Sequence, residues 1–174
     1  MSKKKVSVAQ KPVFGEPLEV TIEYKGTHKV SLDGNYLALQ YLEAMDMALE
    51  VCDAMDIPAD AVINAISSFK GVPGRGEVHY KGAIKYVVER NPGISHMSVR
   101  RTLETLKTMD SLEDAVIIID PVSKKVCDKL DRDLIEEVVK EYGAELIVTP
   151  GDGAEPNIPE HAKTVVRMTK EGYQ

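Results

Sequence analysis

The sequence predicts an α/β fold: a mainly parallel sheet with flanking helices, preceded by a small lobe of one β-hairpin and helices. Three observations predict it. Residues 18–33 alternate apolar and polar side chains about a Lys25-Gly26 turn. Residues 36–69 repeat apolar residues every three or four positions. From residue 78 onward, short apolar runs alternate with helical patterns, including the continuous run Ala115-Val116-Ile117-Ile118-Ile119. A run of that kind is a strand buried on both faces, the mark of a parallel sheet covered by helices.

Taken in order, residues 1–17 read as irregular, punctuated by Pro12, Gly15 and Pro17. Leu18, Val20, Ile22 and Tyr24 alternate with polar residues, which predicts a half-buried strand over 18–24, paired with 28–33. Leu37, Tyr41, Met45, Ala48, Cys52 and Met55 predict one long amphipathic helix over 36–56. Pro58 and Asp60 suit the first turn of a second helix, where proline loses no hydrogen bond and an acid meets the dipole. Val62, Ile63, Ile66 and Phe69 give it a buried face, and Gly71, Pro73, Gly74 and Gly76 stop it. Val78–Val88 holds one or two strands, with Lys81-Gly82 as the turn. Helices over 94–109 and 131–142 and strands at 115–119, 146–148 and 164–168 complete a Rossmann-like second part with right-handed crossovers. The boundary falls near 70–76, dividing the chain into 1–72 and 73–174.

Composition narrows the function. The 174 residues carry a net charge of −6 with pI near 5.3, which argues against a nucleic-acid binder and its basic stripe. Apolar residues make up 43%, enough for a core. Cys52 and Cys127 suggest neither a disulfide framework nor zinc, and the expected setting is the reducing cytoplasm. No apolar run reaches membrane length and no signal peptide is visible, so no membrane partner is expected. The four histidines, at 28, 79, 96 and 161, show no ligand spacing. No G-x-G-x-x-G follows a strand, which argues against a dinucleotide-dependent dehydrogenase.

In open parallel sheets, ligands bind beyond the carboxyl ends of the strands. That rule gathers Glu89-Arg90-Asn91, Asp120-Pro121-Val122-Ser123 and Thr149-Pro150-Gly151-Asp152-Gly153 onto one edge. Turns and helix caps also want Asp, Asn, Gly and Pro at such places, so Ser123 and Asp152 individually read as turn residues at least as well. Arg75 stands between Gly74 and Gly76, where backbone approaches a ligand closely and a guanidinium suits a phosphate or ribose. Its alternative is a surface arginine in a hinge.

Gly71-Val72-Pro73-Gly74-Arg75-Gly76-Glu77-Val78, an apolar strand, then Asn91-Pro92-Gly93-Ile94-Ser95 opening a helix, resembles the start of the C-terminal domain of the Mur ligase family. That family includes the peptidoglycan ligases, folylpolyglutamate synthase and archaeal relatives. The resemblance implies the closing lobe of an ATP-dependent ligase that makes an acyl phosphate and lets an amine displace the phosphate. It implies ATP and Mg2+ as cofactors, an amine or carboxylate small molecule as substrate, and Arg75, Glu89, Asn91 and Gln40 on the nucleotide. Arg90 and Ser95, within the resembling stretch, and Asp120 and Ser123, on the edge that the strand-end rule gathers, are expected on the substrate. Two departures stand out. The family acid, five residues before the proline, falls on Val87, with Glu89 the nearest acid. The family's histidine-asparagine pair before the adenine-facing helix falls on Tyr36 and Leu37, and its second asparagine on Gln40.

The central domain of such ligases carries a G-x-x-G-K-[ST] phosphate loop. The sequence has none, so activity is expected only with a P-loop ATPase domain or subunit as partner, residues 1–72 resembling the end of that central domain. Asp120-Pro121-Val122-Ser123-Lys124-Lys125 differs from the glycine-rich loop of the bacterial wall ligases. An archaeal relative fits, either a pseudomurein ligase or the synthetase that closes a ring on the nickel tetrapyrrole of methane formation. The alternative is a non-catalytic binding or assembly module that kept the fold.

Overall fold

A computed structural model describes residues 4–91, 94–120, 131–150 and 155–170, with the side chains of Asn91 and Lys170 outside that set. The chain forms two compact units, residues 1–71 and 72–174.

The first unit is a three-stranded antiparallel sheet, order β1-β2-β3, with two helices. β2 (Leu18–Glu23) and β3 (Thr27–Leu32) form the expected hairpin. β1 (Val6–Val8) lies where the sequence reads as irregular. Three residues are too few to show an alternation. β1 is made a strand by its partners: Val6 pairs with Ile22, and the Lys5 and Val6 N–H groups donate to Asp46 at 2.8 and 2.7 Å.

The single helix expected over 36–56 is shorter. A 3-10 turn, Ala38–Tyr41, precedes α1 (Leu42–Ala54). Tyr36 packs edge-on against Tyr41 and Phe69, with ring centroids 5.1 and 5.5 Å away, so its backbone serves that ring cluster before the helix begins. At the far end Asp56 takes a left-handed φ of 53° and turns the chain, which leaves Met55 exposed rather than on the buried face. α2 (Ala59–Ser68) follows Pro58 as expected. Leu18, Val20, Ile22, Leu32 and Leu49 fill the core of this unit.

The second unit is a five-stranded sheet, order β4-β5-β8-β6-β7. β4 (Arg75–Lys81) and β5 (Ile84–Asn91) make an antiparallel hairpin. β8 (Thr164–Lys170) inserts parallel between β5 and β6 (Ala115–Asp120), and β7 (Glu145–Val148) runs parallel to β6. α3 (His96–Thr108) and α4 (Arg132–Glu141) pack together, burying Val99, Leu103, Leu106, Ile135, Val138 and Val139. The apolar run Ala115–Ile119 is buried in β6 as expected, and Asp120, which ends the strand, is buried as well. On the other face Ile158 and Ala162, from the connection between β7 and β8, pack with Tyr86, Val116, Ile118 and Val165. The chain thus crosses one face going outward to β7 and the opposite face coming back to β8.

Candidate functional site

The glycine-framed arginine begins β4. Gly74 and Gly76 have φ values of 72° and 66°, a conformation that favours glycine. Each glycine has a separate reason. A Cβ on Gly74 would lie 2.7 Å from Cδ of Arg90, whose stem passes over it. Gly76 sits where the β4–β5 register shifts between Arg75 and Glu77. An extra residue at such a bulge leaves the ladder, and its N–H needs another acceptor. Glu89 supplies one: Gly76 N–H donates to its Oε2 at 3.1 Å. Gly74 N–H donates to Glu77 Oε2 at 3.0 Å. Arg75, register partner of Glu89, is half-buried between these tethers.

Glu89 is only 4% exposed, and its Oε1 accepts from the Thr102 hydroxyl of α3 at 3.3 Å. The carboxylate therefore joins the bulge to the helix beneath the sheet. Val87, at the family's acid position, is fully buried in the core. Arg90 is exposed, and its N–H donates to Gly74 carbonyl oxygen at 2.6 Å. Ser95 caps α3: its Oγ accepts from Ser98 N–H, and Ser98 Oγ accepts from Ser95 N–H at 3.0 Å. This reciprocal box satisfies two of the donors a helix start leaves open.

A second cluster stands at the carboxyl ends of β6 and β7. Asp120, 8% exposed, accepts from the Thr149 hydroxyl at 2.7 Å on Oδ1 and from Arg167 Nε at 2.7 Å on Oδ2. Arg167 Nη1 also donates to both oxygens of Glu155, at 3.0 and 2.9 Å. Asp120 first, then Glu155, hold the guanidinium above its ordinary pKa against the opposing effect of burial. β6 and β7 lie side by side and their following connections cover opposite faces, so a crevice is expected at their carboxyl ends. Asp120 and Thr149 occupy that position.

The site residues expected from the sequence therefore fall into groups. Arg75, Glu89 and Arg90 share the β4–β5 hairpin and Ser95 begins the helix after it. Asp120 lies two strands away, across β8. Gln40 belongs to the other unit, in the 3-10 turn. Asn91 ends β5, its side chain outside the described residues, as are Pro92, Ser123, Gly151, Asp152 and Gly153. Sequence reasoning missed Arg167 and Glu155. The signal was present: Arg167 is a charge inside the apolar run Thr164-Val165-Val166-Arg167-Met168, in the strand flanked on both sides. A charge there needs a partner, and only the strand order says which.

Among the described residues, no group of three or more His, Cys, Asp or Glu is arranged to hold a metal ion. No helix among them is long and apolar enough to cross a membrane.

Comparison with known proteins gives the family. Residues 78–173, more than half of the chain, match the family model described as "Coenzyme F430 synthetase CfbE, C-terminal domain". By sequence, no curated protein matches. Among solved structures, UDP-N-acetylmuramate-alanine ligase MurC from Thermotoga maritima is 15% identical with a TM-score of 0.56, over 99% of this chain and 44% of that one. MurF ligase from Thermotoga maritima, solved in complex with ADP, is 16% identical with a TM-score of 0.59, over 95% and 43%. MurF from Acinetobacter baumannii is 12% identical with a TM-score of 0.56, over 95% and 41%. The chain spans about two fifths of the length of these proteins. At these identities the likeness is one of fold. The chain belongs to the family of the coenzyme F430 synthetase CfbE C-terminal domain, built on a fold it shares with the Mur ligases.

Proposed function

We propose that this chain is the nucleotide-facing C-terminal lobe of an ATP-dependent Mur-type ligase. It acts by the acyl-phosphate route, forming an amide or closing a ring, together with a P-loop domain or chain. In this reading residues 1–72 correspond to the end of the ligase's central domain and 73–174 to its C-terminal domain. Of the two archaeal activities the resemblance implies, the family match supports the synthetase acting on a nickel tetrapyrrole. The cytoplasm is the matching compartment.

One observation carries the reading. Arg75 stands at the mouth of β4 between two glycines whose backbones are each tethered by a carboxylate, Glu77 and Glu89. The tethers fix the backbone on both sides of the arginine, at the first residue of the strand. A guanidinium so held suits the phosphates of a nucleotide bound by the partner, where a preorganised cation acts most strongly as charge develops. The described residues do not make a cage for Mg2+, and the partner's phosphate loop is the expected holder of nucleotide and metal. Asp120 and Thr149, at the carboxyl ends of β6 and β7, are the groups for the acceptor substrate, together with Arg90, Ser95 and Ser123. Asn91 and Gln40 complete the nucleotide set.

The test uses this chain with a P-loop partner from the same source, reading ADP release and product mass. Arg75→Ala should lower turnover about 100- to 1,000-fold with an unchanged melting profile. Arg75→Lys should recover only part of it, because an ammonium lacks the planar fork. Full activity in Arg75→Ala overturns the role.

The second reading, a binding or assembly module without catalysis, is favoured by Val87 and Glu89. Val87 places an apolar core residue where the family has its acid, and both Glu89 oxygens accept internal hydrogen bonds. In that case the partner complex forms equally with and without ATP and Mg2+. Tightening by nucleotide excludes it.

A further inference from the structure

We infer that Arg167 is the receptor for a carboxylate of the acceptor substrate, and that Glu155 occupies it as an internal stand-in which the substrate displaces. This inference rests on the ligase reading above. It names the group through which the Asp120 end of the sheet meets the acceptor.

Arg167 is an unusual residue for its position. β8 lies between β5 and β6, and Val165, Val166 and Met168 around it are fully buried. An aliphatic side chain there would cost no desolvation, whereas a cation needs partners. Ile118 is level with Arg167 and Asp120 with Thr169, so Arg167 and Asp120 share one face of the sheet. Asp120 fixes the inner edge of the guanidinium. Its Oδ2 accepts from Nε at 2.7 Å, and its Oδ1 is taken by the Thr149 hydroxyl at 2.7 Å. Both partners of this inner pair are mostly buried.

The outer edge is held differently. Glu155 comes from residues 155–159, which form neither helix nor strand, and its side chain is 78% exposed. Both of its oxygens accept from one nitrogen, Nη1, at 3.0 and 2.9 Å. Among the described residues nothing accepts from Nη2. A guanidinium offers Nη1 and Nη2 as parallel donors that match the two oxygens of a carboxylate. Glu155 thus takes half of that fork, and a carboxylate seated on both nitrogens makes the better contact. Of the two acids, Asp120 does more than Glu155 to hold the guanidinium above its ordinary pKa.

Charge decides the manner of binding. Asp120 and Glu155 already set two negative charges against one positive one. A third carboxylate arriving beside both is repelled, while one that replaces Glu155 leaves the balance unchanged. Releasing Glu155 to water costs little, because an exposed ion pair contributes little. The ligand is therefore a small molecule with a carboxylate that can sit end-on against the guanidinium. An acceptor whose only charged group is an amine has no use for this site.

The experiment follows the isotope-labelled full chain by NMR while glutarate, a small dicarboxylate, is added, with glutaramide as the uncharged control. The Arg167 Nε–H and the Val166 and Met168 amides are the signals read. Glutarate should move them, and Glu155→Ala should tighten its binding about three- to tenfold. In the Glu155→Ala background, Arg167→Lys keeps a cation beside Asp120 but lacks the fork, and should weaken glutarate at least about tenfold. Equal affinity in wild type and Glu155→Ala overturns the inference, as does an equal response to glutaramide or an unmoved Arg167 in Glu155→Ala. With a P-loop chain from the same source, Glu155→Ala should lower KM for the acceptor by a similar factor. The two readings fail separately. Ligase activity whose KM ignores Glu155→Ala removes this inference alone. Glutarate held at Arg167 by a chain that no P-loop partner activates removes the ligase reading alone.

Discussion

The carboxyl ends of β5 and β6 each carry a buried acid, and the two acids do different work. Glu89 is bound by the Gly76 N–H of the β4 bulge and by Thr102 of α3, beneath the sheet. Asp120 is bound by Thr149 and Arg167. Register explains the difference. Glu89 is level with Met168 and Asp120 with Thr169, adjacent residues of the strand between them. Side chains alternate faces along a strand, so an offset of one residue sends the two acids to opposite sides. Glu89 faces the helices and acts as an anchor. Asp120 faces the side covered by the returning connection. An acid at a strand end is thus not a site by itself; its parity in the sheet decides what it meets.

The largest expected effect breaks the Asp120 side. Arg167→Met removes the cation from a carboxylate that cannot easily reach water, since the two side chains are 20 and 11% exposed. Breaking a fully buried pair costs about 3–5 kcal/mol, and this partial exposure lowers the expectation to about 2–3 kcal/mol. Adding Asp120→Leu should return most of that loss, because replacing both charges avoids the stranded one. Urea unfolding of the single and double variants, with hydrogen exchange on β6 and β8, reads the result. Equal stability in wild type and Arg167→Met would show that Asp120 needs no compensating charge.

A smaller effect tests the Glu89 side. Glu89→Gln keeps the shape but leaves one acceptor where there were two, at a cost of about 1–2 kcal/mol. Thr102→Val should cost about 1 kcal/mol, and the two together less than the sum, because they remove one contact. A ligand role predicts more: Glu89→Gln would then change nucleotide dependence while Thr102→Val would not. An anchor predicts that both variants loosen the Gly74–Gly76 turn alike, seen as faster amide exchange there.

Much of this architecture is legible in the sequence, and the reasons are local. The β2–β3 hairpin, both helices after it, and the strand–helix alternation follow from spacing alone. The motif around Arg75 is readable because positive-φ positions select glycine, and Gly74 and Gly76 do adopt them. What was not legible depends on partners distant in sequence. β1 is a strand only because β2 and Asp46 receive it. Helix α1 starts late because Tyr36 turns to Tyr41 and Phe69. Arg167 meets Asp120 because β8, last in sequence, enters beside β6, and no spacing rule announces that order.

The smallest expected effect comes from the other unit and supplies the converse case, a buried polar group without a partner. Tyr36 is 4% exposed and its hydroxyl has no hydrogen-bond partner among the described residues. Burial first, then the nearby Asp33 and Tyr41, pushes its pKa up to about 12 from an ordinary 10.0. The folded state therefore holds the phenolic proton more tightly than the unfolded chain does. The stability tied to this proton is fully present below pH 10 and is lost as pH rises through about 12. Tyr36→Phe removes the ionisation and the unpaired hydroxyl together and keeps the ring contacts with Tyr41 and Phe69. At pH 7 the variant should be as stable as wild type or more so, by up to about 1 kcal/mol. Above pH 10 its advantage should grow, while other tyrosines titrate equally in both proteins and cancel in the difference. Paired thermal melts at pH 7 and near pH 11 decide it. A Tyr36→Phe protein destabilised at pH 7 would mean that the hydroxyl has a partner after all, and that both units satisfy their buried polar groups by the same rule.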